Sequence, residues 1–427
     1  MHRNSTSSPD TVAQKQSRTA GTSLKPGAAE AGSSRSKVPN PQGWGSLLSG
    51  LVNFFTSIRL SVVCLALGMV LVLAGTLAQV DLGLYKAQNE FFRSFLVYWG
   101  PKDATWKIPV LPGGYLVGGV LLINLTASLI KRLTWTWDRA GLWMAHFGVI
   151  LLLLGQLLTD LLARESSFHL RQGQTKNYSE ADREVELAVL DVTDPDKDKL
   201  VSISQNALMR QKVIRHPELP FTLRVRDFYA NSVVEDRPAN AATPPAATQG
   251  AGAHALVKEV PRVITMDQRD VPTAIVELLA GSTSLGSWLV SEYVDSPQPF
   301  SYNNRHYQLA LRLRRYYKPY SLKLLEFRHD VYPGTDIPKN FSSRVALQRP
   351  DGGENREVLI YMNNPLRYAG ETYYQASYDK DNQGTVLQVV HNPSWLTPYF
   401  SCVLVGLGLV VQFASHLWGF ALKRKSV

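Results

Sequence analysis

A chain of 427 residues with 45% hydrophobic residues and a formal net charge of +10 has the average composition of a soluble protein of two or three domains. The average hides four concentrated apolar runs, and thirteen basic against three acidic residues beside those runs account for the whole net charge, so the pI of about 9.4 points away from nucleic acid, which needs basic side chains gathered on a binding face. Cys64 and Cys402 both lie inside apolar runs and no CxxC occurs, which argues against thiol–disulfide exchange, thiolate zinc sites and c-type haem attachment on this chain; each is read as a small buried hydrophobe.

Residues 1–57 form the N-terminal segment. Up to residue 42 it is rich in Ser, Ala, Gly and Pro with scattered base, a composition that buries too little apolar surface to fold, and it is read as a disordered cytoplasmic tail. Its acid-poor start also has the look of an organelle transit peptide. Phe54 and Phe55, just before Arg59, suit a membrane interface.

Residues 58–163 hold three apolar runs at about 60–80, 108–130 and 141–163, and a fourth covers 398–422; each approaches the ~20 residues needed to cross a bilayer. Lys and Arg concentrate before the first run, in the 131–140 loop and in the 423–427 tail, so those segments belong on the cytoplasmic side and the loop 81–107 and the segment 164–397 on the opposite one. Gly68 and Gly75, Gly114 and Gly118, and Gly148 and Gly155 have the spacing of close helix packing in lipid. Trp135, Trp137 and Trp143 group at the cytoplasmic edge of the third run, as interface anchors do.

Between the third and fourth runs, eight stretches alternate with a period of two: 184–192, 221–229, 273–279, 307–313, 321–327, 357–362, 372–378 and 385–390. They predict a large, mainly antiparallel β domain, interrupted at 236–255 by an Ala/Pro/Thr/Gly stretch read as an exposed flexible loop. The predicted fold class is therefore a membrane bundle of four helices with an extracytoplasmic β-rich domain between helices 3 and 4.

An ionisable group inside a span is costly, about 2.5–3.5 kcal/mol for a central charge on insertion scales, and so is a functional candidate. His146 lies some five residues into the third run; its imidazole is either an iron ligand or a packing residue whose N–H finds a carbonyl. Asp160, on nearly the same helical face, meets water or a basic partner such as Arg164. His416, one turn from Gln412, is a low-ranked ligand candidate whose ordinary reading is an interhelical hydrogen bond. His391 is a second low-ranked candidate, in VVHNPSWLTPYF at the entrance to the fourth run. No nucleophile elbow, P-loop, GxGxxG or paired-carboxylate motif stands out, and no catalytic residue is assigned.

Five segments, SIRLSVVCLALGMVLVLAGTLAQVDLGLYKAQNEFFRSF (57–95), AHFGVILLLLGQLLTDL (145–161), FHLRQGQTKNYSE (168–180), YMNNPLRYAGETYYQASYD (361–379) and VLQVVHNPSW (386–395), resemble the ResB (or CcsB) family of cytochrome c biogenesis proteins. The chain departs from that family's pattern where GTLAQVDLGLY replaces the usual Pro-Gln ending of the first span, in the 236–255 insertion, and in having no tryptophan-rich motif of its own. The resemblance implies a bacterial inner-membrane protein (a thylakoid protein is the second choice) that works in system II with a CcsA-type haem-handling partner. It implies haem b as a transiently bound cargo, His146 as an axial ligand to the haem iron, apocytochrome c as the acceptor, thioredoxin-like reductants as indirect partners, and a non-catalytic or co-catalytic role in haem ligation. The competing readings are a membrane-anchored scaffold and an extracytoplasmic sensor, neither with a cofactor.

Overall fold

The computed structural model describes residues 42–101, 106–132, 134, 136–238, 240, 242–263, 268–335 and 338–425. Most of the N-terminal segment expected to be disordered, and Trp135, lie outside them. The end of that segment is helical instead: α1 spans Gln42–Phe55, where Leu47, Leu48, Leu51, Val52 and Phe55 recur at helical spacing after Pro41.

Among the described residues, four helices are long and apolar enough to cross a membrane, and the chain is an α-helical membrane bundle with a large antiparallel β domain inserted between the third and fourth of them. They are α2 (Ile58–Ala87), α3 (Gly114–Arg132), α4 (Ala140–Leu162) and α6 (Thr397–Lys425); the short α5 (Gln205–Arg210) belongs to the β domain. Two boundaries differ from the hydropathy reading. The stretch before α3 is not helix: Leu96–Trp99 (β1) and Ile108–Pro112 (β2) pair as a hairpin, because Pro109 and Pro112 cannot continue a helical ladder and Gly113 and Gly114 follow at once. The first helix runs past Val80 into a widened turn at Gln88–Phe92, and reverses at Gly83, whose φ of 72° only glycine adopts freely. Phe92 thereby comes back against Gly75, two arms of about 12 Å at 1.5 Å per residue. This reversal accounts for a 35-residue apolar helical segment where one crossing needs ~20.

The glycines divide into two uses. Gly141, Gly148 and Gly155 recur every seven residues on α4, are buried, and meet α6 at Gly408 and Gln412, at Ser401 and Val405, and at Thr397. Close backbone approach is what small residues supply in lipid, where apolar burial offers no drive. Gly68 and Gly118, by contrast, have open space above them. Asn124 of α3 is fully buried and satisfied: its Nδ2 donates to the Phe55 and Ser57 carbonyls, at 2.7 and 3.1 Å, where α1 breaks into α2, and its Oδ1 accepts from Ser61. Cys64 is buried as expected, but Cys402 is exposed, on the outer side of α6.

The β domain is built from β3 (Arg164–Arg171), β4 (Thr175–Asp191), β5 (Lys199–Ser204), β6 (Val213–Ile214), β7 (Thr222–Tyr229), β8 (Ser232–Asp236), β9 (Ala255–Glu259), β10 (Thr273–Ala280), β11 (Thr283–Ser291), β12 (Gln298–Tyr302), β13 (Arg305–Val331), β14 (Pro338–Gln348), β15 (Asn355–Tyr361), β16 (Leu366–Tyr368), β17 (Glu371–Tyr378) and β18 (Gly384–His391). All eight alternating stretches fall in strands to within a residue, two of them merging into the 27-residue β13. Strands β13 and β4 run through both halves of the domain and change register together between Leu313 and Leu322. One half packs β4, β5 and β13 against β7, β10 and β11 around Leu187, Leu223, Val276 and Leu309; the other gathers β3 and β13 to β18 around Phe168, Leu322, Val345 and Tyr373.

The 236–255 stretch is not exposed throughout. Ala247 and Ala255 are buried against Ile275 and Leu289, Gly252 is buried, and Gln249 N donates to the Ser287 carbonyl. Strand β10 reads TAIVELLA, apolar on both faces, and its second face needs this cover.

The α4–α6 seam is directly testable. A Cβ at Gly148 would sit 2.7 Å from Val405 Cγ2 and 3.0 Å from the Ser401 carbonyl oxygen. Gly148→Leu is expected to destabilise the detergent-solubilised protein by about 1–3 kcal/mol, the usual range for overpacking, whereas Gly68→Leu, with open space above it, leaves the thermal unfolding midpoint within a degree or two, about what its small propensity change allows.

Candidate functional site

His146 sits in the second turn of α4, half-buried, and its Nδ1 lies 2.9 Å from the Leu142 carbonyl oxygen one turn earlier. A carbonyl can only accept, so Nδ1 carries the proton and Nε2 carries the lone pair. Nε2 has no partner among the described residues. A ring held by one nitrogen and open at the other is the arrangement a metal-binding histidine takes, the first bond fixing tautomer and ring angle. The packing alternative, a histidine satisfied by a carbonyl, is met by the same bond, so geometry leaves both uses available to the residue.

At ~100° per residue, Leu153, Leu157 and Asp160 fall within about 40° of His146 on α4, and the α6-facing glycines lie on roughly the opposite side. These three residues form one wall of a cleft of about 710 Å³ between α3 and α4, facing Gly118, Gly119 and Tyr115. That volume is in the range of small-molecule and cofactor sites. His146 lies on the same helix face but outside the cleft, about 10 Å nearer the start of α4 than Leu153.

The cleft lining is mostly apolar, with the amides of Gln88 and Gln156 among it, and its charged corner lies at the end of α4, where Asp160 accepts from Tyr115 Oη and lies 2.7 Å from Arg93 Nε. Asp160 thus has its basic partner, but it is Arg93, brought there by the Gly83 reversal, rather than Arg164. Sequence reasoning missed Arg93 and Tyr115 because their meeting depends on that reversal, which hydropathy does not register.

The other two candidate histidines are placed elsewhere. His416 lies 2.9 Å from Gln412 Nε2, and Gln412 Oε1 accepts from Leu142 N, so this pair stitches α6 to α4. Since α4 and α6 run antiparallel with Gly141 level with Gln412, His416 is roughly 15 Å along the bundle from His146. His391 ends β18, opposite Arg164 of β3 and Glu371 of β17, with Asn392 bonded to Thr159 at the end of α4. It is about 20 Å from the level of His146. No two of the three can therefore ligate one iron from within this chain. Among the described residues, no group of three His, Cys, Asp or Glu side chains comes together to hold a metal.

Above the membrane ends of α4 and α6, the unusual segment 361–379 is partly core. Leu366 and Tyr373 are buried, Asn363, Ala369 and Gly370 take positive φ to form its turns, and Tyr361, Met362 and Tyr374 remain exposed. Glu371 is the centre of a polar network: it accepts from Lys318 Nζ at 2.6 Å, Tyr320 Oη at 2.9 Å and Tyr373 Oη at 3.0 Å, with Arg164 at 3.9 Å. Burial pushes the Glu371 carboxyl up, but the Lys318 charge and the three hydrogen bonds outweigh it and hold the group below its ordinary range.

Comparison with known proteins agrees with the resemblance read from the sequence. Residues 294–386 match the ResB-like family model, a segment running from β12 into β18. Over 92 residues the chain is 39% identical to Protein NrfI of Wolinella succinogenes, covering 22% of this chain and 10% of that protein. Over 130 residues it is 29% identical to the cytochrome c biogenesis protein CcsB of Crocosphaera subtropica, covering 30% of this chain and 28% of the relative. The chain thus spans less than a third of the length of either relative.

The Glu371 network makes the β domain acid-sensitive in a defined direction. A carboxyl whose folded pKa is depressed stabilises the fold above its unfolded value, ~4.3, and that contribution is lost as pH falls through the lower folded value. Glu371→Gln, which leaves Lys318 buried without its anion, is expected to cost roughly 3–5 kcal/mol at pH 7. The gap from wild type should close as pH is lowered below 4, measured by thermal melts followed by circular dichroism.

Proposed function

We infer, for a chain ResB-like in the second half of its β domain and carrying that domain on a four-helix membrane bundle, that it is a subunit of a system II cytochrome c synthesis complex. It helps to move haem b across the bacterial inner membrane and, with a CcsA-type partner, presents it for covalent attachment to the CxxCH thiols of apocytochrome c. Both termini and the 131–140 loop face the cytoplasm, and the β domain faces the periplasm, the arrangement favoured by the basic residues flanking the spans.

The observation that carries this reading is His146: an imidazole in an apolar helix, steered by the Leu142 carbonyl, with Nε2 open. Haem is apolar apart from its iron and two propionates, so a lipid-embedded face of Leu and Gly suits the macrocycle while one imidazole holds the metal. The separations of His146, His391 and His416 mean that a second axial ligand comes from the partner. The β domain, rooted on the ends of α4 and α6, holds the acceptor polypeptide or the partner's loops above the site; the exposed Tyr361, Met362 and Tyr374 edge offers apolar and hydrogen-bonding contacts for it.

The test is spectroscopic. Purified with its partner, the wild-type protein is expected to show a haem absorption band, and His146→Ala to retain roughly tenfold less haem or lower still, on the scale of losses at perturbed metal sites. An unchanged band in the variant, or full covalent haem staining of c-type cytochromes in a strain lacking the chain, would refute the assignment.

A further inference from the structure

The α3–α4 cleft and its single charged corner are not explained by His146. We propose that this cleft is a porphyrin-binding station distinct from the His146 position, and that Arg93 recognises the carboxylate of the bound tetrapyrrole. The proposal rests on the haem-handling reading above and adds to it a second site and the group that orients the ligand there.

Three observations carry it. The cleft, about 710 Å³, is lined mostly by apolar side chains, with Gln88 and Gln156 as its neutral polar members, and a Cβ at Gly118 or Gly119 would meet nothing, so these two glycines leave room. A flat apolar body fits such a space. At one corner, Arg93 is positioned from behind: Asp160, only 14% exposed and itself bonded by Tyr115 Oη, sits against Nε. That contact orients the guanidinium, and neither Nη makes a hydrogen bond among the described residues. Two parallel N–H donors on a planar, permanently charged fork are the complement of a carboxylate. Asp160 balances the Arg93 charge when the cleft is empty, and the Gly83 reversal brings Arg93, its side chain 47% exposed, to the end of the cleft.

Distance separates this station from the first. Asp160 is fourteen residues from His146, about 21 Å along α4, too far for one haem to be ligated by His146 and paired with Arg93 at once. The cleft offers no imidazole, so recognition there is of the macrocycle and its carboxylates and is independent of iron.

Metal-free protoporphyrin IX and its dimethyl ester are therefore the probes, titrated into the full chain in nanodiscs and followed by porphyrin fluorescence anisotropy. The free acid should bind wild type roughly tenfold or more tightly than the ester, the scale of a lost charge-assisted hydrogen bond. Arg93→Gln should abolish the difference between the two, and Gly118→Leu, which fills the cleft on a helix that leucine favours, should weaken both. His146→Ala should bind the free acid like wild type. Equal binding of acid and ester by wild type, or binding untouched by both Arg93→Gln and Gly118→Leu, overturns the station even if His146→Ala loses haem. Phospholipid co-purifying with wild type and lost from Arg93→Gln, without a porphyrin preference, would assign the cleft to a lipid head group and overturn it too. Loss of the acid's preference in Arg93→Gln with an unchanged haem band in His146→Ala would uphold the station while sinking the ligand role of His146.

Discussion

The close approach of α4 and α6 is the constraint on which the remaining architecture depends. Gly141, Gly148 and Gly155 let the two backbones meet along about four turns of α4, and the pairing does not stop at the membrane. Strand β3 begins at Arg164, two residues beyond the end of α4, and β18 ends at His391, six residues before α6; the two strands pair antiparallel from Arg164 with His391 to Arg171 with Gly384. One continuous antiparallel seam, helical in lipid and extended above it, therefore fixes where the β domain stands. A side chain at Gly148 would push apart the roots of the domain as well as the helices.

Two of the polar groups in this frame answer backbone groups that the helices leave free. In lipid each unsatisfied N–H or C=O is costly, and a break in a helix is tolerated where neighbouring groups satisfy it. Asn124 answers the carbonyls freed between α1 and α2, and Gln412 spans from α6 to the Leu142 amide near the start of α4. The His146 bond to the Leu142 carbonyl belongs to the same group of contacts, so the first two turns of α4 are held from both sides of residue 142.

What the sequence disclosed followed from periodicity. Four apolar runs and eight alternating stretches were enough for the fold class, because both depend on side-chain patterns local to each element. Among the strands it did not reveal, β3 has a chemically muted alternation: it reads RESSFHLR, with Ser166 inside as well as Phe168 and Leu170. The IPVLP stretch counted as hydrophobic and was taken as helix, although its prolines argued for the hairpin it forms. The Ala-rich 236–255 stretch lacked any hydrophobic residue large enough to betray a packing role, yet Ala247 and Ala255 cover Ile275 and Leu289 precisely because they are small enough to lie flat on a sheet. Of the site, His146 was legible as an ionisable residue in an apolar run, whereas the Arg93–Asp160–Tyr115 corner was not, since it joins three segments through one glycine at φ 72°.

That glycine also explains why α3 carries two kinds of small residue. Gly114 is crowded by the Phe92 backbone returning from the reversal, while Gly118 and Gly119, a turn further on, face empty space. If all of them served helix packing, α3 would close on α4 as α6 does, and no cleft would form. The returning arm instead packs on the start of α3 at Gly114, with Phe92, Arg93 and Phe95 lining the gap. The charged corner of the cleft is thus carried by the arm that returns after Gly83. Gly83 combines φ 72° with ψ 160°, a region essentially confined to glycine, so a residue with a Cβ there would disfavour the reversal by roughly 1–3 kcal/mol and disturb the space and the cation together.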